Sequence, residues 1–177
     1  MDDLASLRIR RAAWDDAARL TAFASRIFDE TFGPTNHRDD MAAYLAEAFT
    51  VERQRAEIAD EASIVLLADT SSDTLAGYAH VAPSDVPDDV RGPEPIELKR
   101  FYVDTAWQGR GIASRLMQAT IDAAVARGAR TRWLGVWEHN PRAIAFYRKC
   151  GFETVGSHDF MLGRDRQTDL LMSRAIG

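Results

Sequence analysis

The sequence predicts an α/β protein of the α+β kind, in which helices cover a mixed β-sheet. Along the chain, apolar residues alternate between the spacing of strands and the spacing of helices. Residues 96–137 have the pattern strand, helix, strand, which brings two strands parallel through a right-handed crossover. With 177 residues, 46% of them hydrophobic, the chain can build a core without disulfides or metals, so we expect a single domain over residues 1–177.

The first third of the chain is predicted to be mostly helical. "LRIRRA" is typical of a short strand, and Asp15 and Asp16 then stand where a first helical turn favours negative charge. After the breaker "TFGPTN", the apolar residues of "MAAYLAEAF" fall on one stripe of a second helix. Thr50 is placed to cap a short third helix.

The middle of the chain is predicted to be a hairpin, a loop and a strand. "SIVLLAD", "TSSDT" and "LAGYAHV" read as strand, turn and strand. "APSDVPDDVRGPEP" holds four of the six prolines and has no period, so it is a surface loop. "IELKRFYV" alternates apolar and charged residues, which indicates a strand with two different faces.

The second half is predicted to alternate helices and strands. A helix runs from Gly111 to a stop at Gly128, and "TRWLGVW" is the next buried strand. Asn140 and Pro141 are a cap and a first-turn proline, so "RAIAFYRKCG" begins there as a helix. "FETVGSHDFML" and "TDLLMSRAI", joined through "GRDRQ", are the closing strands.

Composition narrows the class of protein. The single cysteine, Cys150, excludes an intramolecular disulfide framework, and no apolar run of about 18 residues or signal segment is seen. The net charge of −5, without a basic cluster, disfavours nucleic acid as a partner. We therefore expect a cytoplasmic protein that binds neither nucleic acid nor membrane. The histidines have no metal-ligand spacing, so no metal is expected; they are His37, His80, His139 and His158.

The stretch "VDTAWQGRGIAS" joins a strand that ends at Val103 to a helix that starts near Gly111. Free N–H groups and the positive end of a helix at one point attract phosphate. Gly109 and Gly111 allow close approach, and Arg110 adds charge. Ser114 stands where a dinucleotide fingerprint needs glycine, and no P-loop lysine occurs. A pyrophosphate site and a tight turn that needs glycine both remain open on this pattern alone.

Two longer segments carry a family resemblance. "ELKRFYVDTAWQGRGIASRLM" followed by "WLGVWEHNPRAIAFYRKCGF" resembles the GNAT superfamily of N-acetyltransferases, most specifically over residues 96–153. The acetyl-CoA signature of that family, Gln/Arg-x-x-Gly-x-Gly/Ala, is matched from Gln108 to Ala113. The resemblance implies a mixed, mostly antiparallel sheet flanked by helices. It also implies a parallel strand pair that splays apart, formed by the strands that end at Val103 and Trp137.

The resemblance further implies acetyl-CoA as co-substrate, lying in the cleft between the splayed strands. The pantetheine arm would add to the edge of the first strand at Phe101, Tyr102 and Val103. The main-chain N–H of Val103 would meet the acetyl oxygen. The pyrophosphate would lie on Gln108, Gly109, Arg110, Gly111, Ile112 and Ala113. Asn140 would contact the cofactor arm in addition to capping its helix.

Acetyl transfer to an amine needs a deprotonated amine, a stabilised oxyanion and a proton for the departing thiolate. The resemblance implies that Tyr147 faces the thioester sulfur as general acid; the alternative is a core aromatic between helix and sheet. Glu97, on a strand that walls the cleft, can take the proton of the amine directly or through a water. The alternative for Glu97 is an exposed strand residue paired with a neighbouring arginine.

The resulting functional hypothesis is direct acetyl transfer from acetyl-CoA to a primary amine. The nearest resemblance is to bacterial polyamine (spermidine/spermine) acetyltransferases, which implies a polyamine acceptor. The alternatives are acetylation of a protein N-terminus or another small amine, and a non-catalytic acyl-CoA sensor. Dimers are common in the resembled family, which makes a homodimer an expectation. Acidic residues are expected to line the amine side; they are Asp39, Asp40, Glu47, Asp85, Asp88, Asp89 and Glu94.

Overall fold

The computed structural model describes residues 7–70 and 74–177. The strands are β1 (Arg8–Arg11), β2 (Ile64–Asp69), β3 (Leu75–Ala82), β4 (Pro95–Val103), β5 (Thr131–Trp137), β6 (Glu153–Leu162) and β7 (Asp165–Ala175). The helices are α1 (Ala17–Phe32), α2 (Arg38–Ala48), α3 (Val51–Ala59), α4 (Ile112–Val125) and α5 (Pro141–Lys149). This is the predicted order of elements. The predicted turn at residues 71–73 lies outside the described residues.

The strands form one sheet in the order β1-β2-β3-β4-β5-β7-β6. In the described chain β4 and β5 are the parallel pair and every other pairing is antiparallel, which confirms the predicted fold class. The parallel pairing covers residues 95–97 of β4 and 131–133 of β5. Beyond it the two strands separate, while β4 stays paired with β3 as far as Val103. Within residues 7–70 and 74–177, the edge of β4 that faces β5 is therefore without a strand partner over residues 98–103.

Each face of the sheet carries its own apolar core. One core lies under α4 and α5, with Leu116 and Ile144 among its buried residues. The other lies under α1 and α2, with Leu20 and Phe28 among its buried residues. The two cores correspond to the apolar stripes that the sequence predicts for these helices. The cleft between β4 and β5 thus has helices on both sides.

A bulge in β4 decides which side chains face each core. The register between β3 and β4 shifts after the Arg100–His80 pair, so Lys99 is the extra residue of β4. On one side of the bulge Leu98 packs under α4 and α5, and on the other side Phe101 does the same. Tyr102 packs under α1 and α2. Without the bulge, Leu98 and Phe101 could not share a face.

The helix caps predicted from the sequence at Thr50 and Asn140 are present in the structure. Thr50 Oγ1 accepts a hydrogen bond from the Arg53 N–H at 3.1 Å. Asn140 Oδ1 accepts from the Ala143 N–H at 3.1 Å, directly before the first-turn proline of α5. The link between β6 and β7 is shorter than the predicted "GRDRQ", because Asp165 already pairs with Leu162 and two residues make the turn. In the described chain no helix is both long enough and apolar enough to cross a membrane.

Candidate active site

The separation of β4 and β5 opens a cavity of about 710 Å³. Residues from both strands, from the turn before α4, and from α1, α2 and α5 line it. A volume of this size lies within the usual range of small-molecule sites. The cavity contains the following residues predicted to bind cofactor: Phe101, Tyr102, Val103, Gln108, Gly109, Gly111, Ile112, Ala113, Asn140 and Tyr147.

The open edge of β4 forms one wall of this cavity. The Asp104 N–H donates to the Ala76 carbonyl oxygen of β3 at 2.9 Å. Successive residues of a strand point their main-chain groups to opposite edges, so Val103 points its N–H and C=O into the cleft. The Val103 carbonyl accepts from Gln108 Nε2 at 3.0 Å, and Gln108 in turn accepts from Arg142 of α5. An extended ligand therefore finds the N–H of Val103 directed into the cleft, while the carbonyl of the same residue already accepts from Gln108.

The turn before α4 forms a second wall. Gly109 has φ +74° and Gly111 has φ +79°, in the left-handed region that favours glycine. A Cβ at either position would meet no atom of the described chain within 4 Å, so the space above the turn is open. The first hydrogen bond of the helix runs from Arg115 N–H to Gly111 O, which leaves the preceding N–H groups free of helical partners. These features fit a pyrophosphate group.

Arg110, by contrast, is not among the lining residues. Its guanidinium lies 5.0 Å from the centroid of the Trp107 ring. Arg110 thus lies at the rim of the turn with its side chain exposed, and its contribution to a phosphate site stays a prediction.

Tyr147 projects from α5 into the cavity and is 8% exposed. Its ring contacts Phe101 edge-on at 6.4 Å and Phe152 at 5.8 Å between centroids. Burial raises the pKa of Tyr147 above the usual tyrosine value, so its phenol stays protonated at neutral pH. The ring is packed as a core aromatic, and the same residue faces the cleft. Its role as a proton donor stays a prediction.

Glu97 lies where β4 and β5 are still paired, opposite Trp133, before the strands separate. Its carboxylate is 3.1 Å from Lys99 Nζ, and it is not among the residues that line the cavity. The alternative interpretation is met only in part, because the ionic partner is Lys99 and not an arginine, and Glu97 is half-buried and not exposed. The role of Glu97 as proton acceptor stays a prediction.

The side of the cavity under α1 and α2 is strongly aromatic. Its rings are those of Phe28, Phe32, Tyr44, Phe49, Trp137 and Phe160. Within the described chain, none of the acidic residues predicted for the amine side lines the cavity. Asp40, for example, is 3.3 Å from Arg164 Nε in an ion pair outside it. The sequence could not show that these helices turn aromatic residues inward and acidic ones outward, since both types lie at helical spacing there.

The sequence analysis did not anticipate several lining residues, among them Gly135 of β5 and Asp169 of β7. Burial raises the pKa of Asp169 to about 6, and the charge of His158 acts in the opposite direction. The signal in the sequence is a lone carboxylate inside the apolar strand "TDLLMSRAI". Only the pairing of β7 with β5 shows that this carboxylate faces the cleft.

No group of three or more histidine, cysteine or acidic side chains is placed to hold a metal ion within residues 7–70 and 74–177. The carboxylates that line the cavity are Glu30 and Asp169, and the cationic side chains that line it are Lys99, Arg100 and Arg142. The mixture of charges and aromatic rings suits an organic ligand with polar ends.

Comparison with known proteins gives the same family as the sequence resemblance. The sequence profile described as the Acetyltransferase (GNAT) family matches residues 23–152. An uncharacterised N-acetyltransferase from the pepI 3′ region of Lactobacillus delbrueckii subsp. lactis is 30% identical over 173 residues, 98% of this chain and 99% of that protein. A spermine/spermidine N(1)-acetyltransferase of Bacillus subtilis is 33% identical over 66 residues, 37% of this chain and 43% of that protein.

The fold is also similar to solved structures. The crystal structure of the PaiA N-acetyltransferase from Thermoplasma acidophilum in complex with coenzyme A superposes with a TM-score of 0.78 at 20% identity, covering 96% of this chain and 99% of that one. The open β4 edge and the glycine turn fit the arm and the pyrophosphate of such a ligand. The chain therefore belongs to the GNAT family of acetyl-CoA-dependent N-acetyltransferases.

Proposed function

We propose that the protein transfers the acetyl group directly to a primary amine, with no covalent acyl-enzyme. The observation that carries this proposal is that the open edge of β4, the turn before α4 and Tyr147 share one cavity. The lone cysteine, Cys150, is not among the lining residues, so the cavity offers no thiol nucleophile. An amine that enters from the aromatic side would reach the end of the open strand edge.

Different elements around the cleft bind different parts of acetyl-CoA in this proposal. The free N–H groups of the first turn of α4 hold the pyrophosphate, helped by the positive end of the helix. The edge of β4 holds the pantetheine arm as an added strand. Acetyl-CoA supplies an acetyl group activated by a thiolate leaving group. The N–H of Val103, which points into the cleft, donates to the oxygen on which negative charge develops.

Tyr147 acts as the general acid in this proposal. Its side chain is inside the cavity and its phenol is protonated at neutral pH, since burial keeps its pKa above the usual value. A phenol that is uncharged at neutral pH still carries its proton, so it can donate that proton directly to the departing sulfur. The departing thiolate then leaves as a thiol.

For the acceptor, the aromatic side favours an amine with one ammonium group on an apolar body. Phe28 contacts Tyr44 at 4.8 Å and Phe32 at 4.6 Å between ring centroids, so the rings form a continuous apolar wall. Such a wall stabilises an apolar body by burial and an ammonium by cation–π attraction. Arylalkylamines and peptide N-termini with a large first side chain both have this chemistry.

A polyamine is the second candidate acceptor, supported by the partial similarity to the Bacillus subtilis spermine/spermidine N(1)-acetyltransferase. A flexible polycation gains from several carboxylates at once. In the described part of the chain only Glu30 and Asp169 supply carboxylates to the lining, and Glu30 is already 3.0 Å from Arg26 Nη1. Because the lining has so few carboxylates for a polycation, we rank the polyamine as the second candidate.

Release of CoA thiol with a panel of amines tests the proposal. The panel contains 2-phenylethylamine, spermidine, and a short peptide with an N-terminal phenylalanine, each at low and high salt. We expect the aromatic amines to have the higher kcat/KM and little salt dependence. Replacing Phe32 by Ala should raise the KM of these aromatic amines more than that of spermidine. A preference for spermidine that weakens steeply with salt would favour the polyamine instead, and no acetylation of any amine would overturn the proposal.

A further inference from the structure

Asp169 is the half-buried carboxylate of the cavity. It lies on β7, where it pairs across to Trp137 on one side and to His158 on the other. It lines the cavity together with Gly135 and Trp137 of β5. The other lining carboxylate, Glu30, is on the outer surface of α1, with its side chain 46% exposed and paired with Arg26. Of these two carboxylates, Asp169 is the less exposed.

Gly135 makes room for this carboxylate. A Cβ at Gly135 would lie 3.2 Å from Asp169 Oδ2 and 3.0 Å from His158 Nε2, both tighter than ordinary contact. The φ of Gly135 is not in the left-handed region, so the backbone itself does not require glycine. Glycine at position 135 therefore leaves room for the Asp169 carboxylate and the His158 ring.

Asp169 and Tyr147 lie on opposite faces of the sheet. Tyr147 belongs to the core under α4 and α5. Asp169 is paired with Trp137, whose ring contacts Phe32 of α1 at 6.0 Å between centroids. The separated strands lie between the two residues. A proton can therefore leave the amine on one face while another is delivered to sulfur on the opposite face.

We propose that Asp169 is the proton acceptor for the amine, the position that sequence reasoning assigned to Glu97. This inference rests on the proposed function. The ammonium gives one proton to the Asp169 carboxylate, and the freed lone pair forms the C–N bond with the acetyl carbon. The C–S bond breaks with its electron pair on sulfur, and Tyr147 protonates the sulfur. The second proton shed by the nitrogen restores Tyr147, and the proton on Asp169 passes to solvent.

The surroundings of Asp169 suit a base at neutral pH. Burial raises its pKa to about 6, which makes it more basic than an exposed carboxylate and still ionised at pH 7. The titratable groups around it are His158 on β6, whose charge lowers the pKa of Asp169, and Tyr44 on α2. An ordinary alkylammonium has a pKa of about 10.4, so at neutral pH the amine arrives protonated and needs such a group.

The first experiment compares Asp169→Asn with Asp159→Asn. Asp159 is the matched control because it lies on β6 opposite the neighbour of Asp169, and it is exposed in an ion pair with Arg166 at 2.8 Å. With 2-phenylethylamine, or the best acceptor of the panel, kcat/KM of Asp169→Asn should fall by about 10²-fold or more, within the range of general-base catalysis. Asp159→Asn should stay within about twofold, the scatter that a surface substitution produces. Thermal shift by acetyl-CoA should be the same in both.

A second acceptor separates proton removal from a structural effect. An analogue with fluorine on the β-carbon has nearly the same shape but a much more acidic ammonium, so more of it is already deprotonated. The defect of Asp169→Asn should be at least about tenfold smaller with this analogue, because the missing base is needed less. An equal defect with both amines, or the same rate for Asp169→Asn and Asp159→Asn, would overturn the inference. A wild-type protein that acetylates no amine would overturn the proposed function itself.

Discussion

Gln108 Nε2 donates a hydrogen bond to the main-chain carbonyl oxygen of Val103 at 3.0 Å. The two residues belong to different parts of the cleft, the glycine turn and the open end of β4. Gln108 also accepts from Arg142 of α5. The side chain thereby satisfies the carbonyl of Val103 and leaves the N–H of that residue for a ligand. It holds the strand end, the turn and α5 in one arrangement before acetyl-CoA binds.

Replacement of Gln108 by Ala should therefore weaken acetyl-CoA binding. Loss of one net hydrogen bond of about 1 kcal/mol corresponds to an approximately fivefold rise in the KM of acetyl-CoA, with a smaller change in kcat. Gln118→Ala is the matched control, since Gln118 is exposed on α4 and its side chain donates to Asp122 of the same helix at 2.7 Å. Steady-state kinetics with varied acetyl-CoA measure the effect. Equal KM values for the two variants would mean that Gln108 does not organise the site.

Replacement of Gly111 by Val should abolish the rise in Tm that CoA produces. CoA stabilises the protein by binding only the folded state, and a β-branched side chain at the start of α4 blocks the approach of phosphate. The left-handed φ also makes the substitution destabilising, by about 1–2 kcal/mol. Differential scanning fluorimetry with and without CoA measures both effects.

Gly128→Val is the control for this backbone strain. Gly128 has φ +86° and, like Gly111 at φ +79°, has no atom of the described chain within 4 Å of a Cβ. It follows α4 at the opposite end of the helix, far from the turn. Both variants should lose a similar amount of Tm without ligand, but only Gly111→Val should lose the shift with CoA. If Gly111→Val kept the full shift, the pyrophosphate would bind elsewhere.

Replacement of Tyr147 by Phe should lower kcat by about 10²-fold or more while acetyl-CoA binds nearly unchanged, because the ring stays and the proton donor is lost. Tyr78→Phe is the control. Tyr78 is fully buried, and its hydroxyl has no hydrogen-bond partner among the described residues, so its removal should be neutral or stabilising. Turnover of Tyr147→Phe equal to that of Tyr78→Phe would return Tyr147 to a purely packing role.

The sequence could predict which residues line the half of the cavity proposed to bind acetyl-CoA, because the signals for them are local. The strand end, Gly109, Gly111 and the cap at Asn140 all follow from short patterns, and each lies in the cleft. The acceptor half depends on how distant segments meet. Asp169 faces the cleft only because β7 pairs with β5 beside Gly135.

The position of Glu97 relative to the cavity likewise depends on how distant segments meet. Its strand was predicted correctly, yet its position depends on where β4 and β5 separate. No local pattern gives the residue at which two parallel strands part. The pairing continues to Glu97, and the cavity begins after it.

The raised pKa of Asp169 should make the protein less stable as its carboxylate ionises. The fold raises this pKa from 3.8 to about 6, so between these values the native state binds more protons than the unfolded state. Stability therefore falls as pH rises from about 4 to about 6, and above that range the loss stays constant at no more than about 3 kcal/mol. Asp169→Asn removes the ionisable group and should be more stable than wild type at pH 8, with a much smaller difference near pH 4.

Urea denaturation of both proteins at several pH values between 4.5 and 8 measures this difference. The buried His80, whose pKa is lowered to about 4, favours the folded state above the ordinary histidine pKa of 6.5 and destabilises it as pH falls toward 4. This effect is common to wild type and variant, so it cancels in the difference between their free energies of unfolding. Asp159→Asn serves again as the control, because it removes an exposed carboxylate from the same β6–β7 hairpin. A stability difference for Asp169→Asn that did not grow with pH would show that the Asp169 carboxylate is solvated in the folded protein.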